Sequence, residues 1–126
     1  MGNNVGLTTA LLPDGVAVTA HLQATAVPGL RLLTSGPQPP NPAELIGSER
    51  MAALLREMYE AADVVVLDTP PVLAVADASL LAHISDATLL VVNAQGTRRR
   101  SAQRAVAVLN AAGAHVAGAV LNRLAL

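Results

Sequence analysis

Three segments of this 126-residue chain are continuous apolar runs of strand length: DVVVL at 63–67, TLLVV at 88–92 and HVAGAV at 115–120. None alternates polar with apolar, so none has the pattern of a strand with one wet face. Runs of this kind are buried on both faces, as in parallel sheets covered by crossover helices. A shorter run, LRLL at 30–33, precedes them. This feature constrains the fold more than any other.

The intervening segments carry helical spacing. Met51, Leu54, Leu55 and Met58 fall at i, i+3, i+4 and i+7, which predicts a helix over 48–61. Ala102, Ala105, Val106 and Leu109 repeat that spacing, and Gly113 follows as a residue favoured just past a helix end. A shorter helix is expected over 77–82, with Asp77 as its N-cap. Asn41, Pro42 and Glu44 form a cap, first-turn proline and N3 acid for another short helix, which accounts for Glu44 structurally. Alternation of strands and helices gives an α/β fold, three layers with a mostly parallel sheet. The proline-rich stretch GPQPPNP at 36–42 is too short to divide the chain, so one domain over residues 1–126 is expected.

Composition narrows the function classes. Phe and Trp are absent and Tyr occurs once, so the core is expected to be built from Ala, Val and Leu. The formal net charge of −1 argues against bulk electrostatic capture of nucleic acid or anionic membrane. Without cysteine there are no disulfides or thiolate metal sites, which is compatible with a cytoplasmic location. No apolar run reaches membrane-spanning length. His21, His83 and His115 are far apart and lack metal-ligand spacing.

Asp68 ends the first of the three long apolar runs, the strand position at which ligands bind in open α/β sheets. A carboxylate there can accept hydrogen bonds from Mg²⁺-bound water while the metal neutralises phosphate oxygens. Pro70 and Pro71 stiffen the loop beside it. A plain strand-end Asp in a turn also accounts for the residue. The usual companion of such an aspartate is a phosphate-loop lysine, and the chain contains no lysine.

SGPQPPNPAELIGSERM at 35–51, VVVLDTPPVLAVADASLLA at 64–82 and VLNR at 120–123 together resemble the cytoplasmic ATPase domain of the bacterial tyrosine kinases. These kinases act in capsule and exopolysaccharide synthesis and belong to the MinD/ParA-like P-loop ATPases. The resemblance runs from NNVGLTTALL at 3–12 to VLNR, nearly the whole chain. It implies a partial P-loop NTPase fold of Rossmann-like type, with Mg²⁺ and ATP as cofactors. Asp68 matches the Walker B aspartate, which holds Mg²⁺ through water. Asn122 matches a position that contacts the adenine base, with Arg123 beside it; an Asn that simply ends a strand explains the same residue. Asp77 matches the family's Asp after DTPP, although a helix cap explains it too.

In the family, the phosphate loop and a second aspartate-bearing strand lie upstream of the part that NNVGLTT resembles. The chain is therefore expected to hold the Walker B portion alone, a truncated and inactive part unless the rest of the site is supplied elsewhere. A strand missing from the middle of the sheet leaves its neighbours to close up, pair with another chain or remain unpaired, so marginal stability or self-association is expected. An interaction module that binds a kinase subunit or a membrane chain-length regulator, at the inner face of the membrane, is the alternative; a partitioning-ATPase fragment is a further one. Arg98, Arg99 and Arg100 stand where a helix macrodipole disfavours cations, which suggests either an acidic or phosphate partner or a solvated helix face. Tyr59, beside the apolar stripe of 48–61, is expected to be partly buried rather than a phosphorylation site.

Overall fold

The computed structural model describes residues 4–12 and 16–124. Two compact units divide the chain, Met1–Val66 and Leu67–Leu126.

The first unit is organised by helix α3, Glu49–Ala61, which forms where the heptad-like spacing places it. Ser48 caps it, its hydroxyl accepting the Met51 N–H at 3.2 Å. Met51, Leu54, Leu55 and Met58 are all buried along one stripe. Against them packs a single 3₁₀ turn, Val18–His21, with Val18 buried, and that turn also contacts the short helix α1 (Leu7–Ala10), at whose end Ala10 and Leu11 are buried. The Val18 N–H donates to Glu57 Oε2 at 3.2 Å, tying that turn to α3. Tyr59 lies off the stripe and is exposed, further out than the expected partial burial.

A loop at 34–36 receives the start of α1. Leu7 N–H donates to the Thr34 carbonyl at 2.8 Å, Thr8 N–H to that of Ser35 at 2.9 Å, and Thr34 Oγ1 to that of Val5 at 2.9 Å. The approach is so close that a Cβ on Gly6 would lie 2.1 Å from the Thr34 oxygen. Helix α2, Pro42–Ile46, starts with Pro42 at its first position as expected. The cap differs from the expectation: the Asn41 side chain donates its amide to the Glu44 carboxylate and does not accept a backbone N–H.

The LRLL run becomes β2, Arg31–Leu32, but as the antiparallel partner of β1, Gln23–Ala24, and not as part of a parallel sheet. Its partner is set by the intervening turn, where Thr25 Oγ1 accepts Val27 N–H and Gly29 adopts φ 79°. Such local closure costs less entropy than a long-range pairing.

The second unit is a βαβ crossover preceded by helix α4, Asp77–His83. Strands β3 (Thr88–Asn93) and β4 (Val116–Asn122) pair in parallel, joined by helix α5, Arg99–Ala111. Both strands follow the apolar runs seen in the sequence. Register runs from Leu89 opposite Gly118 to Asn93 opposite Asn122, after a one-residue irregularity at Thr88. α5 ends in a Schellman motif: Ala114 N–H reaches the Leu109 carbonyl, Gly113 N–H reaches that of Asn110, and Gly113 has φ 76°. The core is small-residue packing of Ala78, Leu81, Ala82, Ala105 and Leu109. Leu89 and Val91, which alternate onto one face of β3, are exposed.

The DVVVL run forms no strand. Among the described residues none pairs with it, and the backbone of 63–70 makes no hydrogen bond. Val64 is 76% exposed and Val66 86%, the most open large apolar side chains described. β-structure needs a neighbour to take up its N–H and C=O groups, and apolar sequence alone does not supply one.

Candidate functional site

Asp68 lies in the irregular run that ends at Pro70, just before a turn closed by Ala74 N–H to the Pro71 carbonyl at 2.9 Å. Its position at the end of a paired strand is therefore corrected: the preceding segment belongs to no ladder. The side chain is exposed and has no hydrogen-bond or ion-pair partner among the described residues. Both carboxylate oxygens are thus open to accept from metal-bound water, which fits an indirect Mg²⁺ contact. One carboxylate does not enclose a metal, and no group of three potential ligands occurs among the described residues. Remaining coordination would have to come from water and phosphate oxygens.

Asp77 is not the cap of α4. Ala76 occupies that position, and Asp77 is the first helical residue with no capping hydrogen bond from a side chain. The helix begins one residue earlier than a cap at 77 requires, because Ala76 accepts both the Ser79 and Leu80 N–H groups. A carboxylate in the first turn still complements the helix dipole, which accounts for the residue without a ligand.

Asn122 and Arg123 stand at the carboxyl end of β4. Asn122 Oδ1 accepts the Arg123 N–H at 2.8 Å, and Arg123 takes the left-handed φ of 58°. Only a small fraction of non-glycine residues adopt that conformation, and it turns the chain sharply out of the strand. Both side chains are exposed.

A residue not singled out in the sequence completes this end of the sheet. Asn93 closes β3 directly opposite Asn122. Its Oδ1 accepts Gln95 N–H at 3.1 Å, and its carbonyl accepts the N–H groups of Gly96 and Thr97. The signal was present: Asn93 is the polar terminus of TLLVVN, followed by a Gly-containing turn, as Asn122 is of its strand. Ala94 N–H donates to the Asn122 carbonyl at 2.9 Å, so the two strand ends are also joined through backbone.

Arg98 caps α5 by position and Arg99 and Arg100 open it; all three are exposed and none has a partner among the described residues. No hydrogen bond links Asp68 or Asp77 to Asn122 or Arg123 among the described residues. The structure thus joins Asn93, Asn122 and Arg123 at one sheet end and leaves the two aspartates in their own loop and helix. His115 Nδ1 lies 3.0 Å from the Asp86 carbonyl, a structural contact before β4. No described helix is long and apolar enough to cross a membrane.

No protein-family profile matches the chain. Individual proteins do. It is 42% identical to the tyrosine-protein kinase YwqD of Bacillus subtilis over 120 residues, which are 95% of this chain and 50% of that protein. It is 37% identical to the putative tyrosine-protein kinase CapB of Staphylococcus aureus, over 97% of this chain and 53% of CapB. The solved structure of the chimerical protein CapA2B2 superposes on it with a TM-score of 0.93 at 35% identity, over 100% of this chain and 55% of the other. The chain spans about half the length of the curated relatives it matches first. Nearly all of its sequence and its α/β fold are homologous to a portion of the bacterial tyrosine kinases.

Proposed function

We propose that this chain supplies the Walker B and base-contacting portion of an ATP site in a tyrosine autokinase of capsule or exopolysaccharide synthesis. The observation that carries the reading is the 42% identity to YwqD over 95% of the chain. Asp68, from its open loop, would hold a water of the Mg²⁺ shell. Asn122, with Arg123 turned out of β4, meets the nucleotide at the carboxyl end of the sheet, the side on which ligands bind in open α/β folds. Mg²⁺, when bound with ATP, supplies charge neutralisation on the phosphate oxygens. Asp77 contributes to α4 and not to the metal.

Catalysis of phosphoryl transfer rests on positioning and charge stabilisation of the transferring group. The residues of this chain provide one carboxylate and a base-side contact toward that task, and no lysine. The reading therefore assigns nucleotide contact to these residues and assigns phosphate capture to the portion of the kinase that this chain does not span. The same reading puts the domain on the cytoplasmic side of the membrane, next to a chain-length regulator partner.

Titration calorimetry with Mg²⁺ and a non-hydrolysable ATP analogue tests this. Binding heat is expected for the chain, weakened roughly tenfold by Asp68→Asn, about 1.4 kcal/mol. Absence of heat at millimolar nucleotide overturns the reading for this chain. An Asp68→Asn variant that binds as tightly as the parent removes Asp68 from the site.

A further inference from the structure

Asn122 does not set its own position. Hydrogen bonds run in series across the end of the β3–β4 ladder, and the series begins at Asn93. The Asn93 carbonyl accepts Thr97 N–H at 2.8 Å and Gly96 N–H at 3.2 Å, while Asn93 Oδ1 accepts Gln95 N–H at 3.1 Å, which folds 93–97 into one closed turn. That turn aims the Ala94 N–H across the sheet at the Asn122 carbonyl, 2.9 Å away. Asn122 Oδ1 in turn accepts the Arg123 N–H at 2.8 Å, beside the left-handed φ of 58° at Arg123.

Resting on the reading that Asn122 meets the nucleotide, we propose that Asn93 is its positioning residue. It acts through the 93–97 turn and the Ala94 bond, without touching the base. The Asn122 carbonyl is held from the β3 side and its carboxamide oxygen is held by Arg123, so both ends of the residue are fixed before a ligand arrives. Nδ2 of Asn122 is left without a hydrogen bond among the described residues and is the group free to donate. A donor whose side chain is already ordered loses less entropy on binding than one that must be frozen by the ligand.

The residue types fit this role. An acceptor that reaches a backbone N–H two residues on is what Asn, Asp, Ser or Thr supplies at a turn, and an aliphatic residue ending the strand would not. Gly96 completes the fit, since a Cβ there would lie 2.9 Å from Asn93 Nδ2, in the space that the carboxamide needs. Asn93 also stands directly opposite Asn122 in the parallel register, so no other residue of β3 is as close to it along the ladder.

Amide hydrogen exchange of the chain without nucleotide is the first arm of the test. Asn93→Ala should lower the protection of the Arg123 N–H roughly threefold to tenfold, with the amides of α5 unchanged as the sign of an intact fold. Asn93→Ser, whose hydroxyl can accept the same N–H, should recover most of the parent value. Unchanged protection at Arg123 in Asn93→Ala overturns the proposal whatever the chain binds. Calorimetry with Mg²⁺ and the non-hydrolysable ATP analogue, at a temperature where every variant is folded, is the second arm. Asn93→Ala should weaken binding roughly threefold to tenfold, Asn93→Ser should restore it, and Asn93→Ala should cost nothing further in an Asn122→Ala background. A residue that only stabilises the turn would lower the melting temperature and leave the affinity of the folded chain alone. If Asn122→Ala weakens binding and Asn93→Ala does not, the positioning role falls and the nucleotide reading stands. If Asn122→Ala binds like the parent, the base contact fails and the positioning role fails with it.

Discussion

Asn93 and Asn122 face each other as the last rung of the β3–β4 ladder, and each folds its side-chain oxygen back onto the following chain. Asn93 Oδ1 holds the Gln95 N–H at 3.1 Å and Asn122 Oδ1 holds the Arg123 N–H at 2.8 Å. Each bond converts a strand end into a defined turn, and each is worth about 1 kcal/mol. Alanine at either position should lower stability by about that amount in urea unfolding. The double variant should depart from additivity, because the two turns share the backbone bond from Ala94 N–H to the Asn122 carbonyl. Strict additivity would mean that the two strand ends act independently.

Arg123 is held at φ 58°, where a side chain is disfavoured and glycine is at ease. Arg123→Gly should therefore stabilise the β4 terminus by about 0.5 kcal/mol, strain relief being offset in part by the entropy of glycine in the unfolded chain. If Arg123 also meets nucleotide, the same variant binds more weakly while melting higher. A stability gain together with an affinity loss is the signature of a strained functional residue, and denaturation with calorimetry reads both.

Gly6 has no room for a side chain. An added Cβ would meet the Thr34 carbonyl oxygen at 2.1 Å and the Gly36 nitrogen at 2.6 Å, and both are backbone atoms that cannot rotate away. Gly6→Ala must break the bonds from Leu7 and Thr8 to the 34–36 loop. A loss of about 1–3 kcal/mol or more is expected from such overpacking. Gly29→Ala makes a useful control, since nothing lies within 4 Å of its Cβ position; its cost should come from φ 79° alone. Guanidinium denaturation should rank Gly6→Ala well below Gly29→Ala.

Sequence was most informative where structure is decided locally. The stripe of Met51, Leu54, Leu55 and Met58 and the glycine that ends α5 depend on residues within a turn or two, and both appear where expected. The runs TLLVV and HVAGAV became β3 and β4 because each has the other as a parallel neighbour across α5. DVVVL has the same composition and no such neighbour among the described residues, so a ladder that depends on distant chain did not form. β1 went unread for the opposite reason: Gln23–Ala24 is too short and polar to carry a period, and its pairing with Arg31–Leu32 is set by the turn between them. Val18, among the most buried residues, was invisible too, since a single 3₁₀ turn has no repeat. At the candidate site the match to a family located Asp68, Asn122 and Arg123. Asn93 emerged only once register placed it beside Asn122.

Met51 and Val66 make the sharpest contrast between apolar residues that the sequence presents alike. Met51 is 1% exposed at the N-terminal end of the α3 stripe, whereas Val66 is 86% exposed on an unpaired segment. Met51→Ala removes buried methylenes and leaves a cavity, and should cost about 2–5 kcal/mol. Val66→Ser removes almost no buried area, so its effect on the single chain should stay within about 0.5 kcal/mol. Urea unfolding at a concentration where the chain is monomeric makes the comparison clean, because association adds apparent stability by mass action. A cost for Val66→Ser comparable to that for Met51→Ala would show that DVVVL is packed within the single chain after all.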